Sequence, residues 1–198
     1  MAFPGGCATL LLMKAQKWLH NVIVAAVLPF LLICSQATAQ TVVLDDLFAK
    51  LLTADEATSA RLEQDIWREW SKSGSPAMDL LLQRGRDAMA VGDNDAAIEH
   101  LTALIDHAPE FAEGWNARAT AYFQAGELGP SISDIGHVLT LNPRHFGALA
   151  GLGMIFEQLE KPEKALEVYR AALAIHPHLA GVLESIARLE AEAAGQAL

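Results

Sequence analysis

Thiols are almost absent from this chain. It has 2 cysteines in 198 residues, Cys7 and Cys34, both near the N-terminus. The remainder therefore has no disulfide framework, no sulfur-ligated zinc site and no thiolate nucleophile. Basic residues are also scarce: 14 Lys and Arg stand against 24 Asp and Glu, for a formal net charge of −10. An acidic chain without a basic patch argues against nucleic acid and against adhesion to anionic lipid. The acidity would suit a basic partner, but ordinary solubility explains it equally well.

Catalytic signatures are missing as well. There is no His-Glu-x-x-His and no Gly-x-Ser-x-Gly elbow. Gly147-x-x-x-Gly151-x-Gly153 has no predicted strand before it and no Lys-Ser/Thr after it, so close helix packing explains it better than a phosphate loop. His176-Pro177-His178 looks like a metal pair, which repeat stacking could bring towards His107 or His145. Loops between repeats carry polar histidines readily, however, and no other ligand spacing supports the pair. The sequence reads as a non-enzyme with no cofactor, no metal site and no catalytic residue.

What the chain does have is a period. Pro109, Pro143 and Pro177 lie 34 residues apart. Units that end two residues after each proline begin at Met78, Ala112 and Phe146. Their fourth residues are Leu81, Trp115 and Leu149, their eighth Gly85, Ala119 and Gly153, and their eleventh Ala88, Tyr122 and Phe156. The twentieth are Ala97, Ser131 and Ala165. Each unit shows apolar residues at three- and four-residue steps, the mark of a helix face. Turn residues then separate two helices: Gly92-Asp93-Asn94, Gly126 to Pro130, and Glu160-Lys161-Pro162.

These residues resemble the tetratricopeptide repeat, or TPR, whose pattern places a large apolar residue, Leu-Gly, Tyr, Ala and Pro at those positions. Arg84 and Arg118 depart from the Leu of the seventh position. The resemblance implies an all-α, right-handed superhelical solenoid: an N-terminal helix pair, three units and a C-terminal capping helix. The corresponding boundaries are 40–76 for the N-terminal cap, 78–111, 112–145 and 146–179 for the units, and 180–198 for the end helix and tail. The apolar stripe of the cap (Leu44, Leu47, Phe48, Leu51 and Leu52, then Leu62, Ile66, Trp67 and Trp70) is expected to cover the first unit's flank. A contact with a partner through Trp67 and Trp70 is the rival, as is homo-oligomerisation through Trp67, Trp70 or the concave face.

The resemblance also implies that the first helix of each pair lines a concave groove, through unit positions two, five, nine and twelve. These are Asp79, Leu82, Arg86 and Met89; Glu113, Asn116, Thr120 and Phe123; and Gly147, Ala150, Met154 and Glu157. Relatives that clamp C-terminal carboxylates use several Lys, Arg and Asn there. Only Arg86 and Asn116 are suitable here, so an apolar peptide or helix of a partner protein is the expected occupant. Packing against the curved neighbour, or cover by the chain's own terminus, is the plainer role for the same side chains.

Residues 1–39 read as a signal peptide: Lys14 and Lys17, an apolar run from Val22 to Cys34, and Ala37-Thr38-Ala39 before Gln40. Met13 opens a more ordinary signal than Met1 does. The run is short of the roughly 20 residues a spanning helix needs. The expectation is therefore a cleaved, periplasmic protein that acts as an adaptor or scaffold. The alternative is a membrane-anchored subunit of an envelope assembly, with membrane contact only if the segment is retained.

Overall fold

A computed structural model describes residues 40–196. Among them there is no strand. Helix α1 (residues 40–51) is followed by α2 (Glu56–Trp70), α3 (Pro76–Ala90), α4 (Asn94–His107), α5 (Ala112–Gln124), α6 (Leu128–Leu141), α7 (Phe146–Gln158), α8 (Pro162–Ile175) and α9 (Ala180–Gln196). Leu44 onward forms one compact unit.

The 34-residue period sets the helix ends. Helices α4, α6 and α8 start at Asn94, Leu128 and Pro162, and each stops two residues before its proline. A proline there lacks the N–H and the clearance needed to extend the helix. The turn inside each pair uses a left-handed residue at the same place: Gly92 (φ 79°), Gly126 (φ 77°) and Glu160 (φ 55°). Glycine meets that requirement without strain, whereas Glu160 bears a cost of roughly 1–2 kcal/mol.

Within each pair the small eighth residue admits a large one from the second helix. A Cβ on Gly85 would stand 2.5 Å from Leu101 Cγ, and one on Gly153 would run into the buried Tyr169 ring. In the middle unit Ser131 donates its hydroxyl to the Ala119 carbonyl at 2.8 Å, so the Ser for Ala exchange is satisfied by a hydrogen bond. Arg118, the departure from Leu, is also satisfied. It donates to both oxygens of Asp134 (2.8 and 2.9 Å) and to Thr102 Oγ1 (3.0 Å), and it lies over the Trp115 ring at 5.1 Å. The Asp134 hydrogen bonds hold the guanidinium pKa above its ordinary value, against the opposing effect of burial. Trp115 stacks on His137 at 4.2 Å and donates its indole N–H to the Pro109 carbonyl.

The terminal elements differ from the sequence reading in three ways. Leu52 is exposed rather than part of the stripe. Helix α9 continues through Ala193 to Gln196, where a frayed tail is expected, because Ala and Glu are good helix formers. The largest difference is the placement of α1 and α2. They do not seal the first unit. Their core of Phe48, Leu51, Leu62, Ile66 and Trp70 closes over Phe146 of the third unit, with Ile175 and Leu179 packed alongside. Amphipathicity specifies that a stripe must be buried and leaves open which surface covers it.

Candidate functional site: the concave face

Helix α2 enters the site at Asp55, whose side chain caps it by accepting from the Thr58 N–H at 2.8 Å. Its C-terminal turn packs against the start of α7. Trp70 stacks on the His145 ring with centroids 4.2 Å apart and planes 14° apart, and Trp67 meets Phe146 edge-on at 5.6 Å. A Cβ on Gly147 would stand 2.5 Å from Trp67 Cη2, so the glycine makes room for the indole. Both tryptophans are therefore engaged within the chain, and the partner-contact reading of them gives way to packing. At the other end of the helix the loop histidines take over. His176 Nε2 donates to Glu63 Oε2 at 3.2 Å, and His178 Nε2 donates to the Ala54 carbonyl at 2.9 Å. Arg144 adds an ion pair to Asp45 at 2.6 Å and covers the Phe48 ring at 4.4 Å. The histidines weighed as a metal pair are thus the fasteners of the N-terminal helices. Among the described residues no group of three or more His, Cys, Asp or Glu is placed to hold a metal ion.

A buried polar network ties the same seam to the first two units. Glu113 is 3% exposed. Its Oε1 accepts from Arg86 at 2.5 Å, and its Oε2 accepts from His145 Nε2 at 3.1 Å and from Asn116 at 3.2 Å. His145 Nδ1 accepts the Ala148 N–H at 3.0 Å, capping α7, which leaves the ring proton on Nε2 facing Glu113. Arg86 also donates to Ser71 Oγ at 3.1 Å, reaching the end of α2.

Lifting α1 and α2 from the stack would uncover Phe48, Ile66, Trp70 and Phe146. Each contributes roughly 1.5–3 kcal/mol when buried, so the gross cost exceeds about 6 kcal/mol before any hydrogen bond is counted. A peptide of micromolar affinity offers about 8 kcal/mol in all. Displacing the N-terminal helices would therefore consume most or all of the binding energy of such a peptide, and they form a wall of the site.

The groove positions now divide into three sets. Leu82 is 1% exposed and belongs to the core between α3 and α4, where Met89 also packs, half-buried; Leu82 cannot touch a partner. The charged positions are all engaged: Asp79 accepts from Ser73, Arg86 pairs with Glu113, and Glu157 accepts from the Tyr169 hydroxyl at 2.7 Å and pairs with Arg188. For Glu157, burial pushes the pKa up, but the Tyr169 and Arg188 hydrogen bonds outweigh it and hold the pKa below the ordinary value. Arg86 and Glu157, both expected in the groove as partner contacts, are thus paired within the chain, with a third of the Arg86 side chain still exposed. The third set, Asn116, Thr120, Phe123, Gly147, Ala150 and Met154, lines an open cavity of ≈ 350 Å³ between α5 and α7, with Ile135, Ala148 and Ile155 at its base. Met154 is 50% exposed at its mouth.

The contact between Glu63 and His176 gives the wall a dependence on acid. The His176 hydrogen bond lowers the Glu63 carboxyl below its ordinary 4.5, with Trp67 assisting and burial opposing. A depressed carboxyl stabilises the fold above its unfolded pKa, and the benefit disappears as pH falls through the folded value. Glu63→Gln is therefore expected to lower the urea midpoint at pH 6–7 and to match the parent chain near pH 3. A constant difference across that range would show that Glu63 contributes packing rather than charge.

Sequence reasoning did not find Glu113 as the hub, nor the roles of Phe146 and Gly147. One signal was available. First positions read Met78, Ala112 and Phe146, and second positions Asp79, Glu113 and Gly147, so the third unit alone places a large aromatic before a glycine.

Comparison with known proteins agrees with this architecture. The tetratricopeptide repeat family profile matches residues 82–136 and 131–180. A TPR repeat-containing protein of Rhizobium etli is 36% identical over 153 residues, which span 77% of this chain and 75% of that protein. Among solved structures, the first TPR of Spaghetti (RPAP3) bound to the HSP90 peptide SRMEEVD superposes with a TM-score of 0.56 at 24% identity, over 59% of this chain and 93% of that one. The crystal structure of MamA gives a TM-score of 0.56 at 22% identity, over 74% of this chain and 83% of its own. With repeats, paired helices and relatives in agreement, this chain belongs to the tetratricopeptide repeat family.

Proposed function

We propose that this chain is a non-catalytic protein-interaction module, an adaptor or scaffold of the bacterial periplasm, which holds a peptide or helix of a partner protein against its concave face. The observation that carries the reading is the cavity between α5 and α7. It is lined by the positions of α5 and α7 that the repeat register assigns to the groove, is bordered by the neutral hydrogen-bonding side chains of Asn116 and Thr120, and has a soft apolar mouth at Phe123 and Met154. The RPAP3 repeat, which is bound to an HSP90 peptide, supports the choice of a peptide of a partner protein as the occupant. The Ala37-Thr38-Ala39 site, which lies outside the described residues, supports export.

Affinity capture from envelope extract tests both parts. The parent chain is expected to retain protein partners that Asn116→Ala combined with Phe123→Ala loses by about tenfold, with helicity by circular dichroism unchanged. Equal recovery by the two proteins contradicts the groove reading. N-terminal sequencing of the exported protein is expected to begin at Gln40; a retained residue 1 or 13 contradicts cleavage and favours an anchored subunit.

A further inference from the structure

We infer that the site takes a short, uncharged segment of a partner, anchored by one large apolar side chain and entering from the C-terminal ends of α5 and α7. It does not take an extended peptide crossing the stack, nor an acidic C-terminus. The inference rests on the groove reading above and narrows it.

Two observations carry it. The first is geometric. Trp67 of α2 packs on Gly147 at the start of α7, and Ser71 just beyond α2 meets Arg86 of α3, so a chain crossing all three units on that side would meet the N-terminal helices. What remains open extends from Gly147 towards Phe123, Gln124 and Met154. Its ≈ 350 Å³ is at the lower end of the range for ligand pockets, about 300–1,000 Å³. The second is electrostatic. Of the twelve groove positions four carry charge, Asp79, Arg86, Glu113 and Glu157, and each already has a partner within the chain. No charged residue lines the cavity. A carboxylate placed there would lose its hydration and find no cation, and a lysine would find no carboxylate. An apolar side chain meets Phe123, Ile135 and Ile155, while the amide of Asn116 and the hydroxyl of Thr120 serve the backbone beside it.

Gly151 makes the test clean. It lines the cavity, and a Cβ there meets only Ile135 Cδ1, at 3.9 Å. The first carbon of a side chain is therefore accommodated at Gly151, so Gly151→Leu adds apolar bulk to the cavity lining, and it exchanges a poor helix former for a good one. The full chain and this variant are each used to select phage-displayed random peptides of 7 and 16 residues, and synthetic SRMEEVD is titrated against both.

The expected consensus spans about four positions in both libraries, centres on Leu, Phe or Met, and carries no charge at the anchor. Binding of the selected peptides falls at least tenfold on Gly151→Leu, whose melting temperature is equal to or above the parent's, and SRMEEVD binds neither protein. Selected peptides with acidic C-termini, or a consensus as long as the 16-residue insert, overturn this inference while leaving the groove reading intact if they remain sensitive to Gly151→Leu. Peptides insensitive to Gly151→Leu, or no enrichment over background, overturn both.

Discussion

Phe146→Ala is expected to be among the most damaging single substitutions in the chain, at about 3–5 kcal/mol. Phe146 is fully buried at the first residue of α7. Its ring faces Phe48 (6.5 Å), Trp67 (5.6 Å), Trp70 (5.0 Å) and His176 (5.0 Å), so it joins α1, α2 and the end of α8. Truncation leaves a cavity that four aromatic neighbours cannot collapse into, and the loss adds cavity cost to transfer cost. The expected fall in melting temperature is roughly 8–15 °C for a domain of this size. The comparison that isolates the cause is Met78→Ala, at the same position of the first unit, where the side chain packs half-buried within that unit's own core. Its cost is expected to be smaller, about 2 kcal/mol. Equal costs in urea titrations would mean that the N-terminal helices add nothing at Phe146.

Glu113→Ala is expected to cost about 3 kcal/mol, because it strips partners from both Arg86 and His145 in one step. Arg86 keeps a third of its side chain exposed and can recover water, which places the effect at the low end for a broken buried pair. His145 is fully buried and has no such recourse. Glu113→Gln retains an acceptor for Arg86 but presents an amide to the His145 Nε2–H and to the Asn116 amide, so two donors face one another. An intermediate loss of about 1.5 kcal/mol is expected. Both variants should shift the urea midpoint with little change in slope. If Glu113→Ala is neutral, the network is incidental to holding the first two units to the third.

The two parts of the molecule were legible to different degrees. The repeat stack was readable because its rules are local. The glycines at Gly85 and Gly153, the apolar residues at Leu101 and Tyr169, and the prolines at Pro109, Pro143 and Pro177 serve contacts within one unit or its immediate neighbour. The placement of α1 and α2 was not readable, because it depends on pairs such as Glu63 with His176 and Asp45 with Arg144, which are 113 and 99 residues apart. Composition marks α2 as amphipathic without naming the surface it covers. The candidate site shared that fate. The positions Asn116, Thr120, Phe123 and Met154 follow from the repeat register and do line the cavity. Arg86, Glu113 and Glu157 follow from the same register, but the register does not say that Arg86 pairs with Glu113, and Arg188, the partner of Glu157, comes from outside it.

That N-terminal wall is the centre of the account, since it borders the groove at Gly147 and Arg86 and limits what the remainder can hold. Nuclear Overhauser contacts from the Trp67 indole test it most directly in the intact chain. Strong cross-peaks from the ring protons at Cη2 and Cζ2 to the Gly147 Hα are expected, together with contacts to Phe146 and His145. A Trp67 ring that contacts Met78 or Leu81 of the first unit, and shows no cross-peak to Gly147, would contradict it.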